Sequence, residues 1–237
     1  MTGRGLHFTA LDAVLFDLDG TVVDTIPHIL ASFRHATADV LGEALSDDVL
    51  LHNVGVPLAY QMRFFTEDED TAGRLLDSYR TFNRATHDEM ARLYPHSVKT
   101  LEVIAEAGLP MGIVTSKSRM MAMRALELFD LTRFFAVVVT ADDTTAHKPD
   151  PMPVLQAASE LGVEAPRCVY VGDSPADIGA ARAAGARSVG ATWGVASRER
   201  LEDADADAVI DDIGDLPALL GLPGIESANG APVQRGV

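Results

Sequence analysis

Five short, mostly apolar runs, at 13–16, 111–114, 135–139, 168–171 and 187–190, constrain this chain more than any other feature. Each is four or five residues long and most are rich in valine or isoleucine. Between the later runs lie stretches of helical periodicity at 98–107, 119–128, 152–161 and 176–184, and a last short strand is expected at 208–210. Gly108, Gly162 and Gly185 stand just past three of those helices, where a left-handed residue closes the last turn. Short apolar strands alternating with helices over short connections predict an α/β fold: a parallel sheet with helices on both faces.

The stretch from 24 to 95 breaks the alternation. Apolar residues at Ile26, Ile29, Leu30, Phe33 and Ala36 have helical spacing, and a long polar helix is expected through Leu75, Leu76, Tyr79, Phe82 and Met90. No strand is expected there. The organisation that follows is a core of residues 1–23 and 96–220, an all-helical insert of 24–95, and a tail of 221–237 rich in glycine, proline and small residues. The acidic run 202–207 reads as a solvated loop. Met62, Phe64 and Phe65 are expected in the insert's own core.

Charge narrows the partners. The chain carries 35 acidic against 19 basic residues, a formal net charge of −16. Such a surface repels polyanions, so nucleic acid and anionic membranes are not expected partners. A small anionic ligand stays compatible, because a cation and a few basic groups reverse the potential inside one cleft. The one cysteine, Cys168, sits in an apolar strand and is expected to be a buried bystander. No stretch has the roughly 18–20 apolar residues a spanning helix needs. The expectation is a soluble cytoplasmic protein, monomer or homodimer.

In a parallel sheet ligands sit outside the carboxyl ends of the strands. Those ends carry Asp17 and Asp19; Thr115 and Ser116; Asp142, Asp143 and then Lys148-Pro149; and the run Gly172-Asp173-Ser174-Pro175-Ala176-Asp177. Carboxylates crowded together raise one another's pKa, and a hard divalent cation resolves the conflict. Asp17, Asp173 and the backbone carbonyl of Asp19 are the expected oxygen ligands for Mg²⁺, and Gly20 lets the chain turn closely. Asp17, held at a strand end, can attack a phosphoryl group and form an aspartyl-phosphate. Asp19, two residues on, can act as acid and base. Thr115 and Ser116 offer donors to phosphoryl oxygens, Lys148 a counter-charge, and Asp177 a carboxylate to orient it. Taken singly these are turn and cap signals. Together they serve one mechanism.

Asp17-Leu18-Asp19-Gly20-Thr21, Thr115-Ser116, Lys148-Pro149 and the Gly172-to-Asp177 run resemble, in order, the four motifs of the haloacid dehalogenase-like hydrolases. The resemblance spans nearly all of the chain before Gly221. It implies a Rossmann-like core with a helical cap, Mg²⁺ dependence, and an aspartyl-phosphate on Asp17. It casts Asp19 as acid/base, Thr115 and Lys148 as holders of the phosphoryl group, Asp173 as metal ligand, and Gly20, Thr21 and Asp177 as support. Members that attack carbon–halogen bonds lack the second aspartate, so Asp19 points to the phosphatase branch. Within it the chain is similar to phosphoglycolate phosphatases and to bacterial pyrophosphatases, the latter through Tyr79-Arg80, Asn83 and His87-Asp88.

The cap is expected to choose the substrate. The loop Asn53-Val54-Gly55-Val56-Pro57 lies where caps of this type carry a substrate-facing loop. Tyr79 accompanies the basic candidates Arg63, Arg74, Arg80, Arg84 and His87, with His52 and His96 beside them. His96 stands where the family's hinge usually has glycine. The expected reaction is Mg²⁺-dependent hydrolysis of a small-molecule phosphate monoester: phosphoglycolate, a sugar 5-phosphate or a phosphorylated intermediate of antibiotic biosynthesis. Inorganic pyrophosphatase, phosphomutase and a non-catalytic phosphate-binding protein are the alternatives.

Overall fold

The computed structural model describes residues 8, 10–52 and 54–225. Six strands form one parallel sheet: β1 Ala13–Phe16, β4 Met111–Val114, β5 Phe135–Val139, β6 Cys168–Gly172, β7 Arg187–Ala191 and β8 Ala208–Ile210. Their order across the sheet is β5-β4-β1-β6-β7-β8, all neighbours parallel. The chain lays β1 down first, adds β4 and β5 on one side, then crosses back to add β6, β7 and β8 on the other. β1 therefore lies at the switch point, where a doubly wound sheet opens a crevice at its carboxyl edge.

Pleating sends alternate residues of β1 to opposite faces. Val14 and Phe16 join one buried apolar cluster with Ile113, Val171 and Leu101, and Ala13 and Leu15 join another with Val114, Val154 and Ala180. Helices α5 Ser97–Glu106, α6 Arg119–Leu128, α7 Met152–Glu160 and α8 Pro175–Ala183 accompany these strands. A three-layer α/β core follows from apolar residues on both faces of every central strand. Cys168 is a free, buried thiol, as expected from its strand.

Between β1 and α5 come α1 Ile26–Leu41, α2 Asp47–Leu51, α3 Leu58–Met62 and α4 Glu69–Met90. Ile29, Phe33, Leu50, Met62, Leu75 and Tyr79 form their separate buried cluster, with Phe65 packed against it. Phe64 departs from expectation, since it is exposed. Two further departures concern strands and helices. Val23–Asp24 (β2) pairs antiparallel with Arg92–Leu93 (β3) at the base of the helical segment, where no strand was expected. Two residues are too short to show a period of two. Residues 198–203 form a helix, α9, overlapping the acidic run read as loop, and Leu216–Leu219 form α10. Ser197 caps α9 by accepting from the amide of Arg200. Of the tail, 226–237 lies outside the described residues. No described helix is long and apolar enough to cross a membrane.

Candidate active site

Asp17 follows β1 directly and its amide donates to the carbonyl of Val171 in β6 at 2.8 Å. That bond extends the strand pairing by one residue and fixes the carboxylate at the switch point. The side chain is buried, and its Oδ1 has no hydrogen bond. Among the described residues the ammonium of Lys148 alone approaches it as an ion pair, at 3.1 Å. Burial, then the nearby Asp177 and Asp19 carboxylates, push Asp17 up to about 7 against the pull of Lys148.

Lys148 is buried and triply held. Its Nζ reaches Asp177 Oδ1 at 2.5 Å and the Tyr170 hydroxyl at 3.1 Å besides Asp17. Burial opposes its charge, yet the two aspartates hold it protonated above the ordinary lysine range. Asp177 is fully committed. Its other oxygen accepts from the amide and hydroxyl of Ser174, at 3.0 and 2.6 Å, closing a capping box at the start of α8. One oxygen each of Asp17, Asp173 and Asp177 lie within 4.8 Å of one another. Because Asp177 has no free acceptor, Asp17 and Asp173 are the carboxylates with oxygens to offer a cation.

Asp173 is buried in the turn after β6 and accepts from the amide of Val195 at 2.7 Å. Burial and the charges of Asp177 and Asp17 raise it well above the usual carboxylate range. Two glycines make room for it. A Cβ on Gly20, whose φ is +80°, or on Gly194 would overlap its carboxylate. Thr21 is buried, and its hydroxyl points at Asp173 from 3.4 Å. Hard oxygen donors, a buried acceptor without a hydrogen bond and two raised carboxylates fit a small divalent cation such as Mg²⁺.

Asp19 has a different environment. Lys117 Nζ sits 2.7 and 2.9 Å from its two oxygens, and the Thr25 hydroxyl donates to it at 2.6 Å. Burial works to raise this carboxyl, but the charge and hydrogen bonds of Lys117 outweigh it and hold Asp19 below its ordinary value. The two aspartates of one short motif are thus set apart, Asp17 upward and Asp19 downward.

Asp17, Asp19, Thr115, Ser116, Lys117 and Asp173 line one cavity of about 300 Å³. Its other wall comes from the helical segment: Ile29, Phe33, the loop 54–57 with the start of α3, Tyr79, Arg80, Asn83 and Arg84. Thr115 is buried with its amide on Val139. The Ser116 hydroxyl donates across the cleft to the carbonyl of Gly55 at 2.7 Å. Gly55 itself is at φ +113°, and a Cβ there would press on the Ser174 hydroxyl. The loop is seated on the sheet edge by its backbone.

Among the expected specificity residues, Gly55, Val56, Tyr79, Arg80 and Arg84 line the cavity. Asn53 lies outside the described residues. Five stand elsewhere and correct the expectation, two of them, His52 and Arg74, exposed and away from the cavity. Arg63 turns to Glu69 on the surface, where both are exposed. His87 is buried inside the helical segment with its Nδ1 on Asp88, at 2.8 Å. His96, left-handed at φ +66°, caps α5 and bonds Asp212 at 2.9 Å. Asp142 and Asp143 serve local structure, accepting from Arg119 and Thr140. The sequence reading missed Lys117, Thr25, Tyr170 and the Gly194-Val195 turn. Lys117 alone left a signal, two residues beyond Thr115 at a strand end.

Residues 14–191 match the family described as haloacid dehalogenase-like hydrolase. The pyrophosphatase PpaX of Bacillus pumilus (strain SAFR-032) is 36% identical over 91% of this chain and 99% of its own length. A relative from Caldanaerobacter subterraneus subsp. tengcongensis, provisionally given the same name, is 37% identical over 87% of this chain and 93% of its own. A crystal structure titled as a predicted phosphoglycolate phosphatase, from Haemophilus somnus 129PT, superposes with a TM-score of 0.83. It covers 90% of this chain and 99% of that one at 24% identity. That likeness concerns the fold.

Proposed function

Because the chain belongs to the haloacid dehalogenase-like hydrolases, and is a phosphatase of that family, we propose that it hydrolyses a small-molecule phosphate compound with Mg²⁺, through a phosphorylated Asp17. The observation that carries this reading is the state of Asp17: a buried carboxylate at the switch point whose Oδ1 has no hydrogen bond and faces the Lys148 ammonium. Such an oxygen is free to act as nucleophile.

Asp17 and Asp173 would hold the cation, which supplies positive charge to the transferring phosphoryl group and to the carboxylates around it. In the first half-reaction an Asp17 oxygen bonds to phosphorus and the bond from phosphorus to the leaving oxygen breaks. Asp19, in its protonated form, gives a proton to that oxygen, a form that Lys117 works against. In the second, Asp19 takes a proton from water as the water oxygen attacks phosphorus, and inorganic phosphate leaves Asp17. The Thr115 hydroxyl and the Ser116 amide would be the donors for the equatorial oxygens, the Ser116 hydroxyl being held by the Gly55 carbonyl. Lys148, fixed by Asp177 and Tyr170, neutralises Asp17 and the phosphoryl group. The helical segment 26–90 is the part that selects the substrate and screens the reaction from water.

A second reading keeps the chemistry and changes the leaving group to phosphate. The relatives named pyrophosphatase support it. So does Lys117, whose grip keeps Asp19 ionised, because a phosphate leaving group needs less help from an acid than an alkoxide does. The test is phosphate release from a panel of pyrophosphate, phosphoglycolate, pentose 5-phosphates and para-nitrophenyl phosphate. Release with Mg²⁺ that ends on EDTA treatment and dialysis and returns with added Mg²⁺ is the expected result. Release that survives chelation, or none from any compound, overturns the reading.

A further inference from the structure

The helical side of the cavity carries a charge pattern that the catalytic carboxylates do not explain. Arg80 and Arg84 both line the cavity from α4, one turn apart. Like charges at i and i+4 are unfavourable in a helix unless something neutralises them. Carboxylates are abundant in a chain of net charge −16, and most arginines take one: Arg34 pairs with Asp47, Arg119 with Asp143, Arg124 with Asp88 and Arg187 with Asp207. The side chains of Arg80 and Arg84 take none. Among the described residues Arg74, Arg92 and Arg200 also take no carboxylate; Arg74 bonds the Thr71 hydroxyl and Arg92 the carbonyl of Ala91, and none of the three lines the cavity.

The helix beneath the pair is fixed. Asn83, between them, is buried and donates to the Ser32 hydroxyl at 3.0 Å. Arg124 of α6 donates to the carbonyl of Arg84 at 2.7 Å and to Asp88 at 2.9 Å. The first bond ties this turn of α4 to α1, and the other two tie it to α6 of the core. Two free guanidinium groups are thus presented from a pinned helix, and Lys117 adds a third cation from the sheet side of the same cavity. Forked guanidinium donors match a carboxylate or phosphate better than any neutral group.

We propose that Arg80 and Arg84 form a clamp for a second anionic group of the substrate, carried on the part that leaves. The preferred substrate then has a phosphate or carboxylate beyond the scissile bond. The assignment of that ligand as substrate rests on the phosphatase reading; the clamp itself is tested by binding.

Calorimetric titration of the Mg²⁺-loaded protein compares methylphosphonate with methylenediphosphonate and phosphonoacetate, none of which can be turned over by ester hydrolysis. Wild-type protein should bind at least one of the two doubly anionic probes about 10-fold or more tightly than methylphosphonate. Which one it favours tells a second phosphate from a carboxylate. The R80A/R84A double variant should lose that preference, R80K/R84K should keep part of it, and R200A should keep all of it. In turnover, the ratio of kcat/KM for pyrophosphate or phosphoglycolate to that for para-nitrophenyl phosphate should fall about 10-fold or more in R80A/R84A. Equal affinity for all three probes, or a preference that survives in R80A/R84A, overturns the clamp. Wild-type turnover with no preference for a second anion overturns it too and leaves the phosphatase reading standing. Diphosphonate binding that needs the arginines, without phosphate release from any ester, refutes the phosphatase reading and leaves the clamp.

Discussion

At Asp19 a partly buried carboxylate and a partly buried ammonium are hydrogen-bonded to each other. Burial alone would raise the acid, and Lys117 reverses the direction. Replacing Lys117 by methionine removes the largest lowering influence and leaves burial opposed only by the Thr25 hydrogen bond and His87, so the Asp19 carboxyl should keep its proton to higher pH. The alkaline limb of kcat/KM, which reports the general acid of the free enzyme, should move upward in K117M. An unmoved limb counts against Asp19 as the acid. The sequence made Asp17, Asp19 and Asp173 legible, because each follows closely on an apolar strand, and Lys148 legible in the connection from β5 to α7. Lys117 was harder to see, since a lysine in a polar loop looks like any solvated lysine. Tyr170 was harder still: inside an apolar strand it reads as core, yet in the fold its hydroxyl accepts from Lys148.

Elements explain how the helical segment and the sheet share one cavity. Gly55 sits at φ +113° with no room for a Cβ beside Ser174, and its carbonyl takes the Ser116 hydroxyl. Gly42, closing α1, has φ +82° and open space around it. Alanine at either position should cost about 1–3 kcal/mol in backbone strain, measured by denaturant unfolding. Only G55A should also lower kcat/KM, by about 10-fold or more, because its loop forms part of the cavity. Equal activity in the two variants would refute the seating of that loop as a functional contact. A second element-scale consequence concerns α1 and α4. His28 is buried against Thr86 and Asn83, with His87 beside it. Burial, with Lys117 and His87 nearby, lowers His28 from 6.5 to about 4. A neutral histidine of this kind stabilises the fold fully above pH 6.5, and the benefit is lost as pH falls towards 4. Unfolding free energy should therefore drop by up to about 1.4 kcal/mol per pH unit across that window. His28→Asn should flatten the slope, and an unchanged slope would show that His28 is not held neutral. Core strands were legible to within a residue, because apolar runs of four or five residues ended at polar signals. The β2–β3 pair was not, being too short to carry a pattern, and neither was α9, whose acidic composition masks its Ser197 cap.

The whole molecule inverts its own charge at one place. A chain of net charge −16 gathers Lys148, Lys117, Arg80 and Arg84 at or around one cavity, on the carboxyl edge of a sheet whose strand order switches at β1. That edge receives Asp17 from the first strand, Thr115 from the second-laid neighbour and Asp173 from the crossover strand, so the site exists only once the doubly wound sheet has formed. The account stands on the covalent role of Asp17. Its most direct test is to react the Mg²⁺-loaded protein with a turned-over phosphate compound, quench in acid and reduce with borohydride, which converts an aspartyl-phosphate to homoserine. Peptide mass spectrometry should find homoserine at position 17, dependent on substrate and absent from Asp17→Asn, which should also release no phosphate. Phosphate release with aspartate intact at position 17, or homoserine at another carboxylate, would contradict the account.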